Sequence, residues 1–147
     1  MTHNDLLLIR RYNDMIADAT LKLDEVRQKA FPGAIRYDNT GASKPMPTNQ
    51  LEAVFERLLE IENRTDVMIW RRYLLQKRAI EEIQDSELEC AARHILYLRY
   101  LARDNTTYRA LSWSDVFRYV NKYHNIQRSK MFKLHHEGVE ELEKHNI

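Results

Sequence analysis

Cysteine occurs once, at Cys90, so no disulfide can close within the chain, and a reducing compartment is its natural home. Glycine and proline are equally scarce at three each. All but Gly138 fall in one stretch, FPGAIRYDNTGASKPMP, at Pro32, Gly33, Gly41, Pro45 and Pro47. No segment approaches the roughly 20 consecutive apolar residues that a membrane helix needs. The N-terminal MTHNDLLLIRRYND carries no cleavable signal pattern. There is no convincing run of alternating strand character, no glycine loop to cradle a phosphate, and no Ser–His–Asp arrangement that spacing supports. These absences exclude a membrane-spanning or disulfide-stapled protein and argue against an enzyme. They leave a helical protein of the cytoplasm, with no cofactor and no membrane partner expected.

What remains is 147 residues, 44% apolar and 31% charged, with a net charge of +1. That is room for one domain, or a small domain with a helical appendage. A chain so near neutrality does not bind nucleic acid through overall charge, so any basic surface must be local.

The proline and glycine cluster reads as a linker over residues 32–47. Before it, Ile9, Tyr12, Ile16, Ala19, Leu23, Val26 and Ala30 recur in alternating steps of three and four, a heptad seam. After it, Leu51, Val54, Leu58, Ile61, Thr65, Met68, Arg72, Leu75 and Ala79 keep the same rhythm. The expected fold class is all-α, with a long antiparallel, coiled-coil-like hairpin over residues 1–84. Its second helix is expected from Thr48, a candidate N-cap behind Pro47, to Gln84. Phe55, Leu59, Ile69 and Tyr73 flank the second seam and widen its apolar face. That surplus width suits a second subunit or the C-terminal helices, and the expectation on width is a homodimer.

Asp85-Ser86 breaks the pattern, and Ser86 to Glu89 reads as a capping box that starts a new helix. That helix is expected to bury Leu88, Ala92, Ile95, Leu96, Leu98 and Tyr100. Asp104 to Leu111 reads as a polar loop, and Ser112 as the cap of the next helix. Two amphipathic helices then occupy Ser112 to Leu142, with Trp113, Val116, Phe117 and Val120 on one face of the first. The second repeats its apolar residues at Met131, Leu134, Val139 and Leu142. The turn between them is expected at Asn121 to Ile126. Residues 85–147 thus form a three-helix unit ending in a helix-turn-helix. From Arg118 to His136 there is no Asp or Glu, while Arg118, Lys122, Arg128, Lys130 and Lys133 are all present.

The order LYLRYL (Leu96 to Leu101), then Ser112-Trp113 with Val116 and Val120, then KLHHEGVEEL (Lys133 to Leu142) resembles sigma-70 region 4. More closely, it resembles the small phage and prophage regulators of the ArpU/RinA late-transcription type. The resemblance covers the C-terminal unit by motif and the N-terminal half by layout. It implies a phage or prophage protein that binds double-stranded DNA in a bacterial host and touches host RNA polymerase. The chain departs from the pattern in a long loop before Trp113 and in the long turn at Asn121 to Ile126. It departs also in Phe117, where a small residue is usual, and in Gln127, where a capping Ser is usual.

The candidate DNA-binding residues are Gln127, Arg128, Ser129, Lys130 and Lys133 at the start of the second helix, with Arg118 and Lys122 as phosphate anchors on the first. Arg can read guanine bidentately, Gln can read adenine, and Lys or Ser can hold phosphate. Each could equally be a solvated residue on an ordinary helix. His124, His135 and His136 lie beside the same patch, and His135 is expected to pack near the helix pair. Cys90 and His94 stand four apart, a spacing metal ligands use, but the plain expectation is a buried cysteine and a surface or interface histidine. Glu137, Glu140, Glu141 and Glu143 form an acidic end expected to face solvent. Two further classes stay open. One is a helical protein that grips a host protein, RNA polymerase or a defence component, without reading DNA. The other is a coiled-coil assembly factor.

Overall fold

The structure is a computed structural model that describes residues 1–30 and 48–144. The linker and its Arg36, Tyr37 and Lys44 lie outside the described residues, as do the side chains of Ala30 and Thr48. Among the described residues the chain is all-α: α1 His3–Ala30, α2 Thr48–Asp85, α3 Cys90–Leu96, α4 Trp113–His124 and α5 Arg128–Lys144.

The two heptad seams meet as expected. Ile9, Ile16 and Leu23 of α1 and Leu58, Thr65 and Ala79 of α2 are buried, and the helices run antiparallel. Arg27 pairs with Glu62 at 2.6 Å toward one end, and Arg72 Nη1 donates to Asn13 Oδ1 at 3.1 Å nearer the other. Asn13 is fully buried in the seam with its Nδ2 unpartnered. A polar residue at such a position costs stability, but it fixes the register of the pair.

α3 is the keystone of the C-terminal unit. It continues into a wider turn, Tyr97–Leu101, closed by the Ala102 N–H donating to the Tyr97 carbonyl at 2.9 Å. A helix this short is marginal in water on its own, so its stability comes from burial on two sides. Leu96, Tyr100 and Leu101 join Leu6, Ile9, Ala79, Ile83, Val139 and Leu142 in one core. Ala92, Ile95 and Leu98 join Leu111, Val116, Val120, Met131 and Leu134 in the other. At roughly 1.5–3 kcal/mol for each fully buried large apolar side chain, these contacts outweigh any intrinsic helix preference. The first core contains both ends of the hairpin, so hairpin and C-terminal unit share it.

The capping box is a correction. Ser86 is buried and its hydroxyl donates to the Ile83 carbonyl at 2.5 Å, which closes α2. α3 starts four residues later, with Glu89 at its N-cap and no side chain capping it. Ser112 does cap α4 as expected, its Oγ accepting from the Asp115 N–H at 3.2 Å. The turn after α4 is also shorter than expected. α4 runs to His124, and Asn125 ends it in the left-handed conformation at φ 49°. Asn tolerates that conformation better than any residue but Gly, so only Asn125 to Gln127 separate the two helices.

The loop before Trp113 is tied down rather than free. Asp104 Oδ1 accepts from Thr106 and Thr107 N–H at 2.8 and 2.9 Å, and Arg103 and Ala110 pair across the loop. Asp14 and Asp18 of α1 hold it through the Ala110 N–H at 3.0 Å and an ion pair with Arg109. Arg10 of α1 donates to the carbonyls of Arg99 and Leu111 at 2.5 and 2.8 Å.

Candidate nucleic-acid interface

α5 lies against α3 and α4 through Met131, Leu134, Val139 and Leu142, and Gly138 makes that approach possible. A Cβ on Gly138 would stand 2.9 Å from Leu96 Cδ1. The opposite side of α5 is left to solvent. Gln127, Arg128, Ser129, Lys130 and Lys133 are all exposed, as are Arg118 and Lys122 on α4. All seven sequence-predicted residues therefore reach the surface.

They are not equally available. Arg118 is tied to Asp115 at 3.3 Å and lies over the Tyr119 ring. The Arg128 guanidinium rests 4.9 Å from the centroid of Phe117, so the large residue at that position becomes a platform for a cation. Lys122 lies over Tyr123 at 5.6 Å. Among the described residues the side chains of Lys130, Lys133, Ser129 and Gln127 have no partner, and Lys130 and Lys133 are one turn apart on α5. Exposed Phe132 stands among them, its ring 4.9 Å from that of Trp113. Nothing in the sequence marked Phe132, because a single aromatic off the buried stripe carries no periodic signal.

The electrostatics of α5 are unusual for a helix. Each α-helix carries roughly half a positive charge at its N-terminus, which acids offset and bases oppose by about 0.3–1 kcal/mol each. α1 follows the rule, with Asp5 in its first turn and Arg27 and Lys29 in its last. α4 follows it too, with Asp115 first and Lys122 and His124 last. α5 reverses it. Its first turns hold Arg128, Lys130 and Lys133 with no acid, and Glu137, Glu140, Glu141 and Glu143 gather toward its C-terminus.

Behind the patch lies a polar cluster in which each member explains the next. The Tyr100 hydroxyl is 2.5 Å from His135 Nε2 and 3.1 Å from His3 Nε2, so with one proton to give it accepts from one imidazole and donates to the other. Burial pushes the Tyr100 phenol up to about 12. Burial, with His3 and Arg99 nearby, pushes His135 down to about 4, which keeps its ring neutral. Arg99 lies 4.1 Å over Trp113, and Trp113 meets the edge of His135. His135 thus packs against the helix pair, as its position suggested.

Cys90 is exposed, against the expected burial, because α3 turns Ala92 and Ile95 inward instead. His94 Nδ1 lies 3.1 Å from His124 Nε2 and joins α3 to the end of α4. Among the described residues no three ligating side chains gather to hold a metal ion. The acidic end faces solvent as expected at Glu137, Glu140 and Glu143, and Glu141 is half-buried; Glu143 accepts from the His3 N–H at 3.1 Å, and His136 pairs with Glu140 at 3.0 Å. No helix among the described residues is long and apolar enough to cross a membrane. No family model, curated protein or solved structure matches the chain.

Proposed function

We propose that this chain is a DNA-binding regulator of the phage type, which places the N-terminal turns of α5 in the major groove of double-stranded DNA. The observation that carries the reading is the basic, acid-free start of α5, with Arg128, Lys130 and Lys133 all exposed. The first turns of α2 and α3 also lack acids, but only α5 fills its first turns with bases, each of which opposes the helix dipole. α5 exposes bases there and adds the helix dipole to them, the arrangement that draws a phosphate backbone. α4 and the three-residue turn at Asn125 fit a helix-turn-helix more closely than the longer turn read from sequence.

In this reading Gln127, Ser129 and Lys130 face base edges, and Lys133, Lys122 and Arg118 hold phosphates. Arg128 swings from Phe117 to a base or phosphate. Two copies of the chain read two half-sites. The test is fluorescence anisotropy with phage-genome fragments at two salt concentrations. Lys133→Ala should weaken binding on all sequences alike and lower the slope of log affinity against log salt by about 1. An unchanged slope would remove Lys133 from the backbone contacts.

Exposed Phe132 within the cationic patch favours a second reading, an anchor for an acidic host protein surface such as one on RNA polymerase. If that reading holds, Phe132→Ala abolishes capture of the polymerase, and random DNA fails to compete.

A further inference from the structure

The long α2 leaves a second stripe uncovered. Leu59, Trp70 and Tyr73 are exposed on one side of the helix, away from the seam with α1, with Ile80 further along the same side. Trp70 is 60% exposed and Tyr73 51%, yet the two rings stack on each other 5.6 Å apart. Asp66 and Lys77 stand on the same stripe, one on each side of the aromatic pair. Among the described residues neither has an ion-pair partner within its chain.

The spacing of these residues is symmetric. Trp70 and Tyr73 lie equally far from the point between Arg71 and Arg72, and so do Asp66 and Lys77. A stripe with that property complements a second copy of itself laid antiparallel, and an isologous contact requires that complementarity. We propose that two chains dimerise through this face of α2 about a two-fold axis between Arg71 and Arg72. Trp70 and Tyr73 stack on the partner's Tyr73 and Trp70. Asp66 meets the partner's Lys77, and Lys77 meets the partner's Asp66.

The same register places Leu59 at the level of the partner's Gln84. Gln84, Ile80, Ile83 and Tyr97 line an apolar groove of about 700 Å³, continuous with the stripe. The exposed end of the stripe on one chain thus falls against the open groove of the other. At ~1.5 Å per residue, each Asp85 lies about 20 Å from the axis. The two C-terminal units are therefore attached about 40 Å apart along α2, close to the ~34–36 Å that separates successive major grooves on one side of a duplex. The proposal rests on the dimer of the regulator reading and assigns it an interface outside the α1–α2 seam.

Sedimentation equilibrium of the full chain tests it. The wild type is expected at twice the chain mass. Asp66→Lys and Lys77→Asp, both on exposed positions, should each weaken the dimer by about tenfold, since each replaces two attractions with two repulsions. The double substitution should recover the wild-type constant to within about threefold, and Trp70→Asp should leave a folded monomer. A dimer that ignores these substitutions, or one that the double substitution does not rescue, overturns this interface and leaves the dimer itself standing. A wild type that stays monomeric at roughly 100 μM overturns the dimer as well. Neither outcome touches DNA binding by α5, which is read separately on a half-site fragment.

Discussion

Single residues decide how the C-terminal unit is held. Gly138 lets α5 approach α3 so closely that any side chain there must displace Leu96, which is itself fully buried. Gly138→Leu is expected to lower stability by about 1–3 kcal/mol, the usual cost of overpacking a core, read as a fall in the urea midpoint. His135 sets a pH dependence. Its folded value of about 4 lies below the unfolded value of 6.5. Between the two the unfolded chain binds the proton more strongly, so the contribution is fully present above about pH 6.5 and is lost as pH falls toward about 4. Urea midpoints should therefore drop between pH 7 and pH 5. His135→Gln should flatten that drop, leaving the smaller part owed to His94, which burial and His124 also hold below its ordinary value.

At the scale of the element, α5 trades stability for charge. Lys130→Glu is expected to raise the stability of the fold by about 0.3–1 kcal/mol, because an acid now meets the positive end of the helix. The same change should abolish DNA binding, so thermal melts and anisotropy on one protein should move in opposite directions. If stability falls instead, α5 is not strained by its cations, and the argument from charge order fails. Asn125 ends α4 in a conformation that a β-branched residue adopts only at a cost of about 1–2 kcal/mol or more. The role of Asn125 is only half legible in the sequence. Its Asn is the signal for a helix end, but the polar run from Asn121 hid which of two asparagines served. Ser86 misled for a related reason. Its spacing to Glu89 fits a capping box, and only the tertiary packing that buries it reveals that it closes the preceding helix. The heptad seams and the Ser112 cap were legible because each rests on contacts within a few residues or on a period repeated many times.

The whole molecule is joined by contacts that no local pattern announces. Arg10 reaches the carbonyls of Arg99 and Leu111 from the far end of the sequence and binds α1 to the end of α3 and the loop before α4. Hydrogen bonds to a charged group contribute about 1.5–3 kcal/mol, so Arg10→Met is expected to lower stability by an amount in that range, read as a fall in the urea midpoint. Hydrogen exchange should then show faster exchange in Asp104 to Leu111 than in the hairpin. These residues are far apart in the chain, and a lone arginine beside a heptad reads as a solvated charge until the fold brings its partners. The seven candidate DNA contacts were the reverse case. An acid-free run is a local property, and surface helices keep such residues outward whatever the packing behind them. The measurement that bears most directly on the whole account is the affinity of the intact protein for duplex DNA at two salt concentrations, with and without Arg128→Ala and Lys130→Ala together. Binding is expected to fall steeply with salt, and the double variant to stay folded while losing about tenfold or more in affinity. Undiminished affinity in the double variant, or no binding by the wild type even at low salt, would contradict it.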